Sequence, residues 1–428
     1  MKIFLLLILI FLLPSKVFSE DIIKTLSDAF KNNSKLNAQR ASLEASKQDI
    51  NISRGEFLPS ITLSGDMATQ KDTERVNQSG VPLRDVESTP ETNSVIVEQK
   101  VFDGFGNYNN LKKSKLQFEQ AKFQLNKLEQ EVLLNAAKAY YSLGYSFKNS
   151  EYNELNVDLF ERQVESDRAR LDRGEISLTD FAQSESSLAG AKAQLITAEN
   201  ELVSGKKNFQ KIIGSMAPED IDLELSTNLV IPNSLNAATA KAEQLNPKLN
   251  LAKLDLEIAE RELFVARGDL APSAKVSYSK KTNKDLSSAV DEREQEEVKA
   301  TITWPIFKGG KNLSSVKKAK FKKEEKQLIF DDITEQVQID TANAWSTYNA
   351  SESVLEATRV QLKAAEIANE GISLEYESGN ERTTLEVIQS RTLLLDARTS
   401  FAKAQKDFAI AQFNLLASIG DLRIDNIK

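Results

Sequence analysis

Cysteine and histidine are both absent from the 428 residues. Without cysteine there is no disulfide, thiolate metal site, thiol nucleophile or acyl anchor on an N-terminal cysteine; without histidine there is no serine–histidine triad. Nor do the carboxylates cluster into a catalytic or metal-binding pattern, so no enzyme activity, cofactor or metal is expected. Long apolar runs are scarce: residues 3–13 form one of eleven residues, against the roughly 20 that a membrane-spanning helix needs. Lys2 before this run and Val17-Phe18-Ser19 after it give residues 1–19 the layout of a secretory signal. An exported chain with no other such run either stays soluble in the periplasm or enters a membrane as a β-barrel, which satisfies every backbone group in lipid. A basic excess is missing as well. The net charge of −8 argues against nucleic-acid binding, which needs a clustered basic surface.

What the chain does have, it has twice. Residues 33–65 and 246–278 superpose without a gap at a shift of 213: Asn33 on Asn246, Leu36 on Leu249, Arg54-Gly55 on Arg267-Gly268 and Pro59-Ser60 on Pro272-Ser273. Further on, Val132, Ala139-Tyr140 and Gly174 answer Val337, Ala344-Trp345 and Gly379 at a shift of 205. Two repeats, 20–213 and 235–428, are therefore expected around a linker or equatorial segment, 214–234. Each should hold a helix (21–54; 235–267), a strand-loop-strand unit (60–102; 273–307), a very long helix (107–170; 311–375), a glycine turn (tips 171–180 and 376–386) and a last helix (180–213; 384–419). Pro59 and Pro272 mark the helix–strand junctions, since a proline cannot continue a helix.

The strand segments alternate. Ala274, Val276 and Tyr278 share one face, as do Val298, Ala300, Ile302 and Trp304; in the first copy Ile61 and Leu63 alternate with polar residues, and so do Val95, Val97 and Val101. Such runs suit a barrel wall that is apolar outside and wet inside, or equally an amphipathic hairpin on a soluble core. Tyr278 and Trp304, read as near strand ends, suit an interfacial aromatic belt. Residues 69–93 and 281–297 read as outer loops. The long helices carry a seven-residue apolar repeat through Leu111, Phe118, Leu125, Val132 and Ala139, echoed by Val316, Phe330, Val337 and Ala344, which makes helices supercoil about neighbours. Four strands per chain are too few to close a barrel, so closure requires several chains.

Together with its motifs, this organisation resembles the TolC family of outer-membrane efflux and secretion ducts. Trp304-Pro305-Ile306-Phe307-Lys308-Gly309-Gly310 is similar to the family's strand-end pattern, and Val101-Phe102-Asp103-Gly104-Phe105-Gly106 is a looser counterpart. The resemblance implies a mainly α fold with a small β part: a homotrimer with a twelve-stranded β-barrel among outer-membrane lipid, continued by a twelve-helix α-barrel in the periplasm. It also implies a passive duct, gated at the tips and opened by a periplasmic adaptor and an inner-membrane pump. By the same likeness Asp180, Tyr376, Arg382 and Glu386 are gate residues linking the two tips. Glu386 fits only if one residue is inserted after Gly379, and Glu381 stands where the family has a basic residue. Gly174 and Gly379 are the tip turns and adaptor-docking points. A soluble periplasmic coiled-coil adaptor or scaffold is the alternative; it accounts for the helices but not for the strands.

Overall fold

The structure, a computed structural model, describes residues 22–223, 229–287, 290–378 and 382–427. The signal segment 1–19, residues 224–228 of the linker, Gly379 and Glu381 lie outside the described residues. Both copies contain the same helices. The long ones, α3 (Gly106–Asp172) and α7 (Lys311–Glu377), have 67 residues each. The returning ones, α4 (Leu178–Ile213) and α8 (Thr384–Ile419), have 36 each.

The first helix of each copy is in fact two. The expected helix 21–54 is α1 (Ile22–Asn32) and α2 (Ser34–Gly55); the expected helix 235–267 is α5 (Leu235–Leu245) and α6 (Pro247–Gly268). The break falls at the paired asparagines. Asn33 accepts the Leu36 N–H on its side-chain oxygen at 3.1 Å and so starts a new helix. Asn246 is extended (φ −62°, ψ 120°), as a residue before proline prefers, and Pro247 opens the next helix.

The strands β1 (Ser60–Met67), β4 (Glu91–Phe102), β5 (Ser273–Ser287) and β6 (Val290–Thr303) form one antiparallel sheet in the order β1-β4-β5-β6. A small hairpin, β2 (Gln70–Asp72) with β3 (Val86–Ser88), fills part of the first expected loop. The register sets Ile61, Val97, Tyr278 and Val298 in one row across all four strands, and Ser60, Glu98, Ser277 and Lys299 in a row of the opposite face. The sheet thus has an apolar and a polar side.

Three strand expectations are corrected. Residues 281–297 are largely strand rather than loop, because Lys280 pairs with Glu296 (3.4 Å) and Glu294 (3.8 Å) across β5 and β6 and so supports the pairing beyond the apolar stretch. Tyr278 accordingly lies inside β5 rather than near its end. In β4 the register slips between Lys100 and Phe102, which breaks the expected alternation of Val95, Val97 and Val101 and sets Phe102 opposite Ala274.

The chain divides into two compact units, and neither is a repeat. One comprises Met1–Ala38, Asn126–Asn246 and Gln336–Lys428; the other, Gln39–Leu125 and Pro247–Glu335, holds every strand found among the described residues. In the first unit Leu133, Tyr141, Phe209, Phe413 and Ile419 are fully buried. There Ile221 and Leu223 of the equatorial segment lie over Gly144 of α3 so closely that a Cβ on that glycine would stand 2.8 Å from each side chain. In the second unit Asn107, at the start of α3, donates to Glu56 O (3.1 Å), and Asn312, at the start of α7, donates to Asp269 O (2.8 Å). The same side-chain bond thus ties each long helix to the end of its copy's first helical segment.

Candidate functional site

The two tips start their returning helices with the same cap. At the end of α3, Gly174 takes the left-handed φ of +73°. Its N–H donates to Leu171 O (2.9 Å) and the Glu175 N–H to Arg170 O (2.9 Å), the paired bonds that close a helix at a left-handed residue. Ser177 then caps α4. Its hydroxyl accepts from the Asp180 N–H (3.2 Å), and the Asp180 carboxylate accepts from the Ser177 N–H (3.1 Å). Thr383 and Glu386 repeat this capping box at the start of α8, at 3.3 and 2.8 Å. The two acids are 206 positions apart against 205 upstream, which accommodates the one-residue insertion. The Ser177 hydroxyl and N–H hold the Asp180 carboxyl below its ordinary pKa; the Thr383 N–H, with Arg382 and the Thr383 hydroxyl, does so for Glu386.

The structure therefore assigns Asp180 a different neighbour from the expected one. Its carboxylate turns back onto its own cap, while Arg382 reaches Glu375 (2.6 Å) and Glu386 (2.9 Å) of its own tip. These two acids raise the Arg382 pKa. All three side chains are well exposed, so water and salt screen both pairs.

The link between the copies is made by Tyr376 and by a residue the sequence reading missed. Asp167, on α3, is fully buried. Its carboxylate accepts from Tyr376 Oη (2.6 Å), Gln163 Nε2 (2.9 Å) and Ser184 Oγ (2.5 Å), joining the long helices of both copies to α4. Thr384 Oγ1 lies 3.0 Å from the same tyrosine oxygen, and the Arg170 guanidinium lies 4.3 Å from the ring centroid. Burial, with the Asp167 contact next, raises the Tyr376 pKa, so the phenol stays a donor at physiological pH. Behind this cluster Val157, Phe160, Ala191 and Ile388 are buried together, and Arg391 donates to Leu159 O at 2.7 Å. Burial pushes the Arg391 pKa down against the opposing pull of Asp167.

A sequence signal for Asp167 did exist. Continuing the seven-residue seam past Ala139 gives Ser146, Asn153, Phe160, Asp167 and finally Gly174. An acid on a buried seam needs several donors, and Tyr376 supplies one. Pro59 and Pro272 stand immediately before β1 and β5. Among the described residues no group of acidic side chains is placed to hold a metal ion. What the tip arrangement does is tie α3, α4 and α7 together through one buried carboxylate.

The profile of the family described as outer membrane efflux protein matches residues 25–215 and 239–421. Outer membrane efflux protein BepC of Brucella suis is 26% identical over 411 residues, covering 96% of this chain and 87% of its own. Outer membrane protein TolC of Escherichia coli is 24% identical, covering 94% and 83%. Among solved structures, the Campylobacter jejuni CmeC outer membrane channel superposes with a TM-score of 0.81 at 15% identity, over 94% of this chain and 86% of that one.

Proposed function

We infer that this chain, which belongs to the outer membrane efflux protein family, is an outer-membrane exit channel for efflux or type I secretion. It is a channel and not an enzyme, seated in the outer membrane and extending into the periplasm. The observation that carries its mode of action is the sheet with two free edges. Strands β1 and β6 are paired on one side only, and Ile61, Leu63, Val298 and Ile302 on them are more than 70% exposed. An open apolar sheet of this kind is an aggregation hazard in water and a barrel wall in lipid.

The glycines suggest how the wall closes. Inside the chain, Gly268 lies against Gly104: a Cβ on Gly268 would stand 2.7 Å from the Gly104 carbonyl oxygen. Their counterparts in the other copies of the unit, Gly55 and Gly309, meet nothing within 4 Å. On this reading β6 and Gly309 of one protomer adjoin β1 and Gly55 of the next, repeating the internal junction. Three chains give twelve strands, a homotrimeric duct wide enough for molecular cargo. An exposed apolar row on α7 (Val360, Ile367, Leu374) at seven-residue spacing is then covered by a neighbouring helix.

Transport through the duct is passive. The tips form the gate, with Asp167–Tyr376 as its internal lock and Arg382, Glu386 and Asp180 as the charges around it. The Gly174 turn offers a surface on which a periplasmic adaptor docks, and an inner-membrane pump supplies the energy. Family membership and the free-edged sheet disfavour the soluble adaptor. The test combines fractionation with planar-bilayer recording. The account expects outer-membrane partitioning and discrete channel steps from the purified protein; a soluble periplasmic protein without conductance overturns it.

A further inference from the structure

Where the sheet meets the helices, α3 and α6 enclose an open cleft of about 430 Å³. Its walls carry Phe105, Tyr108 and Phe264, all exposed, together with Arg261 and Arg267. No carboxylate lines it. Of the acids beside it, Glu260 accepts from Arg261 (3.4 Å) and from Lys323 (2.9 Å), and Asp103 accepts the Asn107 N–H at 2.6 Å. Lys112 stands over the Tyr108 ring at 4.5 Å and, with Lys115 and Arg261, lines the adjoining cleft, where Glu119 and Glu257 balance part of the charge.

Two further observations say what reaches this cleft. The Phe105 ring packs edge-on against Phe102, with centroids 5.3 Å apart, and Phe102 stands opposite Ala274 on the apolar face of the sheet. The mouth of the cleft is thus continuous with the face assigned to lipid. The flanking sequence is basic in both copies: residues 106–118 hold three lysines and 308–323 hold seven, with no acid in either stretch. Basic residues next to a membrane-spanning segment attract anionic headgroups, and aromatic rings settle at the same level.

We propose that this cleft binds the phosphate-bearing headgroup of an anionic phospholipid, held by Arg261 and Arg267 with its glycerol end against Phe105, Tyr108 and Phe264. The site rests on the channel reading, because it needs the apolar face to lie in a bilayer. Anionic lipid would then anchor the junction between sheet and helices at a fixed depth.

The test is native mass spectrometry of the detergent-released oligomer, titrated with phosphatidylglycerol or phosphatidylethanolamine, with wild type compared to Arg261→Gln/Arg267→Gln. The expected result is that wild type retains phosphatidylglycerol preferentially, and that the double variant binds it at least about tenfold more weakly while still conducting in bilayers. Equal retention of both lipids by a conducting wild type, or undiminished phosphatidylglycerol binding by the variant, overturns the site alone. Displacement of the lipid by inorganic phosphate at matched concentration also overturns it, since the cleft then recognises a free anion. A wild type that neither partitions with the outer membrane nor conducts removes the channel reading and the site together.

Discussion

Tyr376 donates to a carboxylate with no access to water, and this sets it apart from the other tip residues. A buried hydrogen bond to a charged group contributes about 1.5–3 kcal/mol, whereas the exposed pairs of Arg382 are screened by water and salt. Repeated around a ring of protomers, the buried bond is large enough to bias a two-state gate. Tyr376→Phe should therefore raise open probability in single-channel recordings, and Arg382→Ser alone should change it far less. A Tyr376→Phe channel as closed as wild type would place the gate elsewhere. Asp180 and Glu386 act through their caps instead. Each folded pKa is depressed, so the stabilisation is fully present above the ordinary carboxylate range near 4 and is lost as pH falls from there through the lower folded pKa. Asp180→Asn should accordingly melt at a lower temperature than wild type at pH 7, with the gap narrowing below about pH 4. A gap that does not change with pH would show that the charge plays no part in the cap.

At the scale of elements, the sequence was most legible where periodicity and punctuation agreed. The long helices, the alternating strands and the Gly174 stop all rest on strong local chemistry. Boundaries that depend on one side chain were less legible: Asn33 and Asn246 break helices whose apolar spacing runs straight through them. Strands 281–287 and 290–297 read as loop because their residues are polar, yet cross-strand pairs such as Lys280–Glu296 hold them in register. Asp167 was missed because an acid on an apolar seam looks like the end of the seam, and two of its three donors, Ser184 and Tyr376, come from other helices. The strands β5 and β6, at 15 and 14 residues, exceed the roughly 9–11 needed to cross a bilayer. Their hairpin and the 69–93 segment should therefore project outside. A cysteine at Ser79 is expected to react with a membrane-impermeant reagent on intact cells; labelling only after the outer membrane is broken would reverse the orientation.

For the whole molecule, duplication is the organising fact: on the proposed closure, one junction serves both inside a chain and between chains. Gly55 shows the difference. In the single chain a Cβ there meets open space, but in a closed ring it should meet the neighbour's Gly309 as Gly268 meets Gly104. Gly55→Ala should thus lower the temperature at which the oligomer dissociates while leaving the helicity of the separated chains unchanged. A variant oligomer as heat-resistant as wild type would remove that junction from the interface. The count of chains tests the central claim most directly. Native mass of the detergent-solubilised, conducting particle should correspond to three copies, giving twelve strands. A conducting monomer, or a particle of two or four copies, would contradict the account.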